Sequence, residues 1–391
     1  MKECEKMDKT IYFDNAATTI NKPNEVAKAV YNAILSCGNS GRGAYKEVMC
    51  ANETIAYGRI AVANFFDVEK PNQVVFTNNA TESLNIAIKG LLEENDHVIT
   101  TVLEHNSVLR PLYSFGEKIE MTIIPCDKKG NIDYFLLESS IKSNTKMIVC
   151  THGSNVLGTL LDIEKIGQIC RKYNLLFVLD ASQTAGSVPI SMKKLNIDVL
   201  CFTGHKGLFG PQGIGGLCVR DGFIIRPLKE GGTGVQSALK EQPKEMPEHL
   251  EAGTLNTPGI AGLLAGIQYI NNVGLEQIRE KEKKLWKQFY NEISTIDSVI
   301  CYGDYESDNR LPIVSFNING MDSSYVSDIL SETYNIASRS GMHCAPLVHK
   351  AMKTENLGMV RFSFSYRNTE EEVNYGINAI RELVTNKNKY I

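Results

Sequence analysis

The sequence predicts an α/β protein, with a mostly parallel sheet in a large domain and a smaller α+β domain toward the C-terminus. Three observations carry this. Residues 146–183 read as strand, helix, strand in KMIVCTHGSN, LDIEKIGQICRKY and NLLFVLDASQ, the pattern of a βαβ unit. Those strands are apolar almost throughout, as strands covered by helices on both faces must be. The strand-like LPIVSFNI and VRFSFSY fall late in the chain, beyond a long helical stretch.

The elements can be justified in order. Asn79, Ala80 and Thr81 precede Leu84, Ala87, Ile88 and Leu91 at helical spacing, so a helix opens there. Asp162 is the expected N-cap of the βαβ helix, with Ile163, Ile166, Cys170 and Tyr173 on one face. VLCFTGH and GGLCVR continue the sheet. The glycine-rich, polar stretch Glu230–Pro258 reads as a long excursion of the kind that is functional or mobile. A single long helix is expected from GIAGLLAGIQYINNVG into EKEKKLWKQFYNEI. The resulting division is an N-terminal segment 1–24 packing with the small domain, a large domain 25–257 and a small domain 258–391.

Composition narrows the function classes. At 391 residues, 43% hydrophobic and 22% charged, the chain can bury a large core. A formal net charge of -4 with no basic block argues against a nucleic-acid or anionic-membrane surface and for a small-molecule substrate. MKECEKMDKT is too polar for a signal peptide, and no run of about 18 apolar residues occurs, so a cytoplasmic protein is expected. The ten cysteines lack any CxxC pair, which gives no reason to expect a disulfide framework or zinc ribbon.

Ligands of parallel sheets collect at the carboxyl ends of strands, and His105, Asn155, Asp180, Gln183, His205 and Lys206 all fall at such ends. In FTGHKGLFGPQG, Lys206 follows the apolar strand VLCF, so burial is expected, and a buried lysine with a lowered pKa suits imine chemistry. Pyridoxal phosphate needs such a lysine, an acid for its pyridinium nitrogen and donors for its phosphate. Asp180, closing FVLD, is either that acid or a helix N-cap before ASQTAG. Ala80 and Thr81 either present backbone N–H groups to an anion or merely start a helix. Thr203 and His205 are placed to contact phosphate. Gly207, Gly210 and Gly213 are expected to let backbone pass close to a bulky ring. A dinucleotide loop is disfavoured because the glycines lack G-x-G-x-x-G spacing.

YFDNAATT, ATESLN, LEHNS, HGSNVLGT, VLDASQ, TGHKGLFGPQG, LEAGTLNTPG, RSGMHCAP and VRFSFSYRNT occur in the order seen in cysteine desulfurases with the class V aminotransferase fold, and the chain resembles that family from about Tyr12 to Thr369. The resemblance implies a pyridoxal 5'-phosphate-dependent homodimer of fold type I that removes sulfur from L-cysteine to leave L-alanine; selenocysteine lyases, acting on L-selenocysteine, look similar. Position by position it implies that Lys206 forms the Schiff base, Asp180 pairs with the pyridinium, Gln183 and Asn155 donate near the phenolic oxygen, and His105 stacks on the ring and moves protons. Ala80, Thr81, Thr203 and His205 are implied phosphate contacts, with Thr254 reaching the phosphate from the other subunit. Arg361, with Arg339 and Asn155 nearby, is implied to bind the substrate carboxylate. Without the family, Arg361 reads as half of a surface ion pair.

Cys344 resembles the nucleophile that takes sulfur as a persulfide, and positive neighbours, His343 and Arg339, are expected to favour its thiolate. His343, Cys344 and His349 lack a fourth partner, so no metal is expected. The short RxGxHCA pattern resembles the SufS-like branch, which implies a dedicated sulfur- or selenium-accepting protein. Met342 and Tyr45 stand where the family often has histidine, and the charged tract Val235–Glu248 is unfamiliar. Two other readings remain: an aminotransferase using a keto acid, and a non-catalytic carrier, which has no need of Arg361 and Cys344.

Overall fold

The computed structural model describes residues 9–41 and 43–387. The first eight residues of MKECEKMDKT and Arg42 of GNSGRGAY lie outside the described residues. The chain opens with β1 (Ile11–Tyr12), α1 (Asn24–Ser36) and α2 (Lys46–Phe66). The sheet domain follows with β2 (Val74–Thr77), α3 (Ala80–Leu91), β3 (His97–Thr101), α4 (Asn106–Tyr113), β4 (Glu120–Ile124), α5 (Tyr134–Ser139), β5 (Thr145–Thr151), α6 (Ile163–Tyr173), β6 (Leu176–Asp180), β7 (Val199–Thr203) and β8 (Gly215–Val219). The last part holds α7 (Thr257–Val273), α8 (Leu275–Ile293), β9 (Val299–Tyr302), β10 (Ile313–Ile318), α9 (Ser323–Tyr334), β11 (Ile336–Ala337), α10 (Pro346–Met352), β12 (Val360–Ser363) and α11 (Glu370–Thr385).

The seven-stranded sheet runs β2-β8-β7-β6-β5-β3-β4. Strand β8 is antiparallel to β2 and β7, and the other neighbouring pairs are parallel. Alternation along each strand builds two cores. Phe177, Leu179, Leu200 and Phe202 pack in a cluster that includes buried side chains of α2, α6 and α7. Val178, Val199 and Cys201 point the other way, into a cluster with Leu84, Ala87, Ile88 and Leu91 of α3 and Val108 and Leu112 of α4. This two-sided burial explains why the strands read as nearly continuous apolar runs.

The three-stranded antiparallel sheet β12-β10-β9 forms the smaller unit with α8, α9 and α11. Its core is aromatic: Phe289 stacks on Phe362 with centroids 4.9 Å apart, and Phe13 lies 5.0 Å from Phe362. Ile11 and Phe13 of the N-terminal segment belong to this core, and β1 pairs with β11.

Two local expectations change. The long helix is broken at Gly274, whose φ of 92° only glycine adopts readily, into α7 and α8. Helix α7 sends Ile260, Leu263, Ile267 and Ile270 into the core of the large sheet. Asp162 caps α6 by accepting from the Lys165 N–H at 3.0 Å, and Ile163, Ile166 and Cys170 are buried, but Tyr173 is exposed and its hydroxyl bonds Glu138.

Candidate active site

The carboxyl ends of β5, β6 and β7, with the start of α3 and the loop after β3, enclose a cavity of about 230 Å³. Lys206, Asp180, His105, Asn155, Gln183, Thr203, His205, Ala80 and Thr81 all line it. One switch-point pocket therefore collects nine residues spread over 127 positions of the chain, from Ala80 to Lys206.

Burial sets the electrostatics. The surrounding protein desolvates Lys206 and lowers its pKa to about 8, against the opposing pull of Asp180. Asp180 is buried; its Oδ1 accepts from the Ser182 N–H at 2.9 Å and from the Ser182 hydroxyl. That Asx turn is what remains of the N-cap alternative, since 182–187 form turns rather than a helix. His105 is the N-cap of α4, with Nδ1 accepting from the Ser107 N–H at 3.0 Å, and burial plus the Lys206 charge drops its pKa to about 4. His205 is likewise lowered to about 4 by burial, and its Nδ1 lies 3.0 Å from the Thr18 hydroxyl. Both rings are neutral near pH 7.

The glycines of GLFGPQG are needed where backbone meets backbone. A Cβ on Gly207 would lie 2.5 Å from the Ala185 carbonyl oxygen, and one on Gly210 would lie 3.0 Å from the Gly204 oxygen. They let backbone cross backbone and so fix the lysine-bearing loop; Gly213 takes a φ of 81°.

Arg361, on β12, is 2% exposed, so it is no surface ion pair. Its Nη1 donates to the Asn155 carbonyl at 2.8 Å and its Nη2 to Asp14 Oδ1 at 2.7 Å. Arg339 is exposed and sits 3.8 Å from Asp14 Oδ2. The adjoining groove, of about 430 Å³, is lined by Cys344 with Thr81, Asn85, Lys89, His105, Ser107 and Arg110. His105, Ser107 and Thr81 line both spaces, so the exposed Cys344 stands at the mouth of the lysine cavity.

Cys344 and His343 both adopt left-handed backbone, with φ of 56° and 50°. The Asn106 N–H donates to the Cys344 carbonyl at 2.8 Å, and Asn155 Nδ2 donates to that of His343 at 2.7 Å. These bonds hold the strained turn. One of the two expected positive neighbours is corrected here: His343 is buried and pushed well below the ordinary histidine pKa by desolvation, with its ring stacked on His349 at 5.5 Å. Thr254 is not brought to the cavity of its own chain; it lies exposed on a separate cleft with Asn39, Ser40 and Gly232. Met342 and Tyr45 are exposed, and neither lines the lysine cavity.

Sequence reasoning missed two carboxylates. Asp14, inside the quoted YFDNAATT, orients Arg361. Glu104, the residue before His105, is fully buried between Thr101 and the Thr151 N–H, and burial raises its pKa to about 8. A carboxylate following the apolar stretch that closes β3, directly before His105, was the available signal for Glu104. Among the described residues, no group of three or more His, Cys, Asp or Glu could hold a metal ion, and no helix is long and apolar enough to cross a membrane.

The Aminotransferase class-V family model matches residues 11–375. The chain belongs to the class-V aminotransferase family. It is 36% identical over 376 residues to a probable cysteine desulfurase of Methanothermobacter thermautotrophicus, covering 93% of this chain and 92% of that protein. It is 35% identical over 384 residues to one of Pyrococcus abyssi, with 96% and 94% covered. The apo structure of a cysteine desulfurase from Thermococcus onnurineus superposes with a TM-score of 0.91 at 36% identity, covering 96% of this chain and 95% of that one. Within the class-V family these likenesses favour the desulfurase branch over a true aminotransferase, and they support fold type I.

Proposed function

We propose that this protein is a pyridoxal 5'-phosphate-dependent cysteine desulfurase that converts L-cysteine to L-alanine and keeps the sulfur as a persulfide on Cys344. The observation that carries the reading is the shared wall: a desolvated lysine facing a buried aspartate, with an exposed cysteine at the mouth of the same cavity.

The residues present fit the cofactor. Thr203 Oγ1, Asn155 Oδ1 and Arg361 Nε are buried polar atoms without a partner in the protein, and all three belong to this region. Thr203, His205, Ala80 and Thr81, at the N-terminus of α3, would hold the phosphate. Asp180 would pair with the ring nitrogen, His105 would cover the ring face, and Gln183 and Asn155 would bond the phenolic oxygen. When bound, the cofactor supplies an electron sink for the substrate Cα.

Asp14 pairs with the Arg361 guanidinium, whose Nε has no partner among the described residues, and would hold it for the substrate carboxylate. Lys206, with a pKa of about 8, can take and return the Cα proton near neutral pH. Neutral His105 moves a second proton. The Cys344 thiolate attacks the substrate sulfur; the new S–S bond forms as the C–S bond breaks, the electron pair stays with the substrate carbon, and protonation there gives alanine. Cys344 retains the sulfur as S–SH until a thiol takes it.

The same reading includes a cytoplasmic homodimer in which Thr254 completes the partner's phosphate site, and a sulfur-accepting protein approaching the Cys344 groove. A segment 1–24, a sheet domain and a C-terminal domain complete it, with the second boundary best drawn after α7, whose apolar face packs on the large core. Alanine release from cysteine and from selenocysteine, by wild type and Cys344→Ala, tests the proposal. Loss on cysteine with retention on selenocysteine is the expected pattern for direct attack on sulfur. Equal activity of the variant on both substrates would overturn the role of Cys344, and glutamate formed from 2-oxoglutarate without sulfide would move the chain to the aminotransferases.

A further inference from the structure

Among the cysteines of the described residues, two outside the active site are brought together by tertiary structure alone. Cys37 ends α1 as its C-cap, and Cys50 lies one turn into α2. Their Sγ atoms are 2.8 Å apart, inside the ordinary contact distance of two non-bonded sulfurs. Both are half-buried, so a small reagent can reach them, whereas Cys150, Cys170, Cys201 and Cys218 are sealed in the sheet. Around the pair, Ser36 Oγ is 3.7 Å from Cys50 Sγ and Thr54 Oγ1 is 3.8 Å from Cys37 Sγ. These weak hydroxyl contacts do not tie either thiol down.

We infer that Cys37 and Cys50 form a redox-responsive dithiol that a small-molecule disulfide converts to an intramolecular disulfide, pinning the C-terminus of α1 to α2. Partial burial and the adjacent Cys50 thiol raise the Cys37 pKa, which suits Cys37 to the second, resolving step. The Cys50 thiolate attacks one sulfur of the reagent RSSR, forming Cys50–S–SR and expelling RS⁻. Cys37, losing its proton to solvent, then attacks Cys50 Sγ and expels the second RS⁻. The two protein thiols are oxidised by two electrons, and RSSR is reduced to two RSH.

The location gives the bond a consequence. The connection between the two helices, residues 38–45, carries Asn39, Ser40 and Gly41, which form one wall of the cleft that holds Thr254 and Gly232–Val235. The Gly38 N–H already donates to the Glu47 carbonyl at 2.8 Å, so the closing bond reinforces a loop that is folded back on α2 rather than distorting it. A disulfide here encloses only the connection and the first turn of α2, so its stabilisation falls in the lower part of the range for disulfides.

The test uses the full-length protein carrying Cys344→Ala, so that the exposed nucleophile does not consume reagent, treated with glutathione disulfide. Intact mass should fall by about 2 Da without a lasting glutathione adduct, as expected for a completed exchange. Alkylation and proteolysis should recover one linked peptide pair containing Cys37 and Cys50. Adding Cys37→Ser should trap a mixed disulfide on Cys50, and oxidation should raise the thermal midpoint only while both cysteines are present. The inference is overturned if both thiols remain alkylatable after treatment, or if each takes its own glutathione at the rate seen in the single variants. Because the readouts are mass and melting rather than alanine, their outcome is separate from the fate of the desulfurase reading.

Discussion

The two walls of the candidate site are built differently. The Lys206 wall rests on consecutive strand ends of a parallel sheet, so Asp180, Thr203 and Lys206 are placed by the ladder itself, and Asp180 sits in register with Cys201. The Cys344 wall is a left-handed turn between β11 and α10, held by hydrogen bonds to Asn106 of α4 and Asn155 after β5. A sheet end is a rigid platform suited to binding a large planar group. An exposed turn leaves its thiol accessible to a second molecule, which a sulfur carrier requires.

The contrast is broken most severely from the lysine side. Lys206→Ala should lower alanine formation by about 10³-fold, the range of a lost acid–base and covalent group, and abolish cofactor-derived absorbance; activity within tenfold of wild type would refute the strand-end account. Cys344→Ser should cost at least about 10²-fold on cysteine yet shift stability by no more than about 0.5 kcal/mol, as an exposed turn residue should. Arg361 joins the two walls. Arg361→Met leaves Asp14 without its buried partner and should cost about 3 kcal/mol in urea unfolding, and adding Asp14→Asn should recover part of it. A double variant no more stable than the single one would remove the ion pair from the explanation.

Lys206 also gives a pH signature. Its folded pKa of about 8 lies below the ordinary 10.5, so between those values the unfolded chain binds more protons than the folded one. Stability of the cofactor-free protein from this group should therefore rise with pH from about 8 to about 10.5, and the wild-type minus Lys206→Met difference should trace that rise. A flat difference would mean that the lysine is not desolvated. The smallest effect belongs to the groove. Neither Lys89 nor Arg110 forms an ion pair among the described residues, so Lys89→Gln with Arg110→Gln should slow persulfide discharge to an anionic thiol by about threefold while leaving discharge to a neutral thiol unchanged.

Legibility followed the same divide. Strand ends announce themselves through apolar runs that stop at a polar residue, which is why FVLD and VLCFTGHK exposed Asp180 and Lys206 to inspection. The amphipathic register of α3 was equally plain, and Leu84, Ala87, Ile88 and Leu91 are all buried. The charge state of His343 was not readable, because neighbours in sequence do not reveal burial. Nor was Asp14: its partner Arg361 lies 347 positions away.

The sequence by itself determined the alternation of strands and helices, the helix caps and the family, because these depend on periodicity and on short runs of side chains. Tertiary structure alone decided the pairing of Arg361 with Asp14, the seat of Cys344 at the mouth of the lysine cavity, the burial that neutralises His105 and His343, and the meeting of Cys37 with Cys50. Each of those depends on desolvation or on distance between residues from different elements, and both are set only when the chain closes on itself.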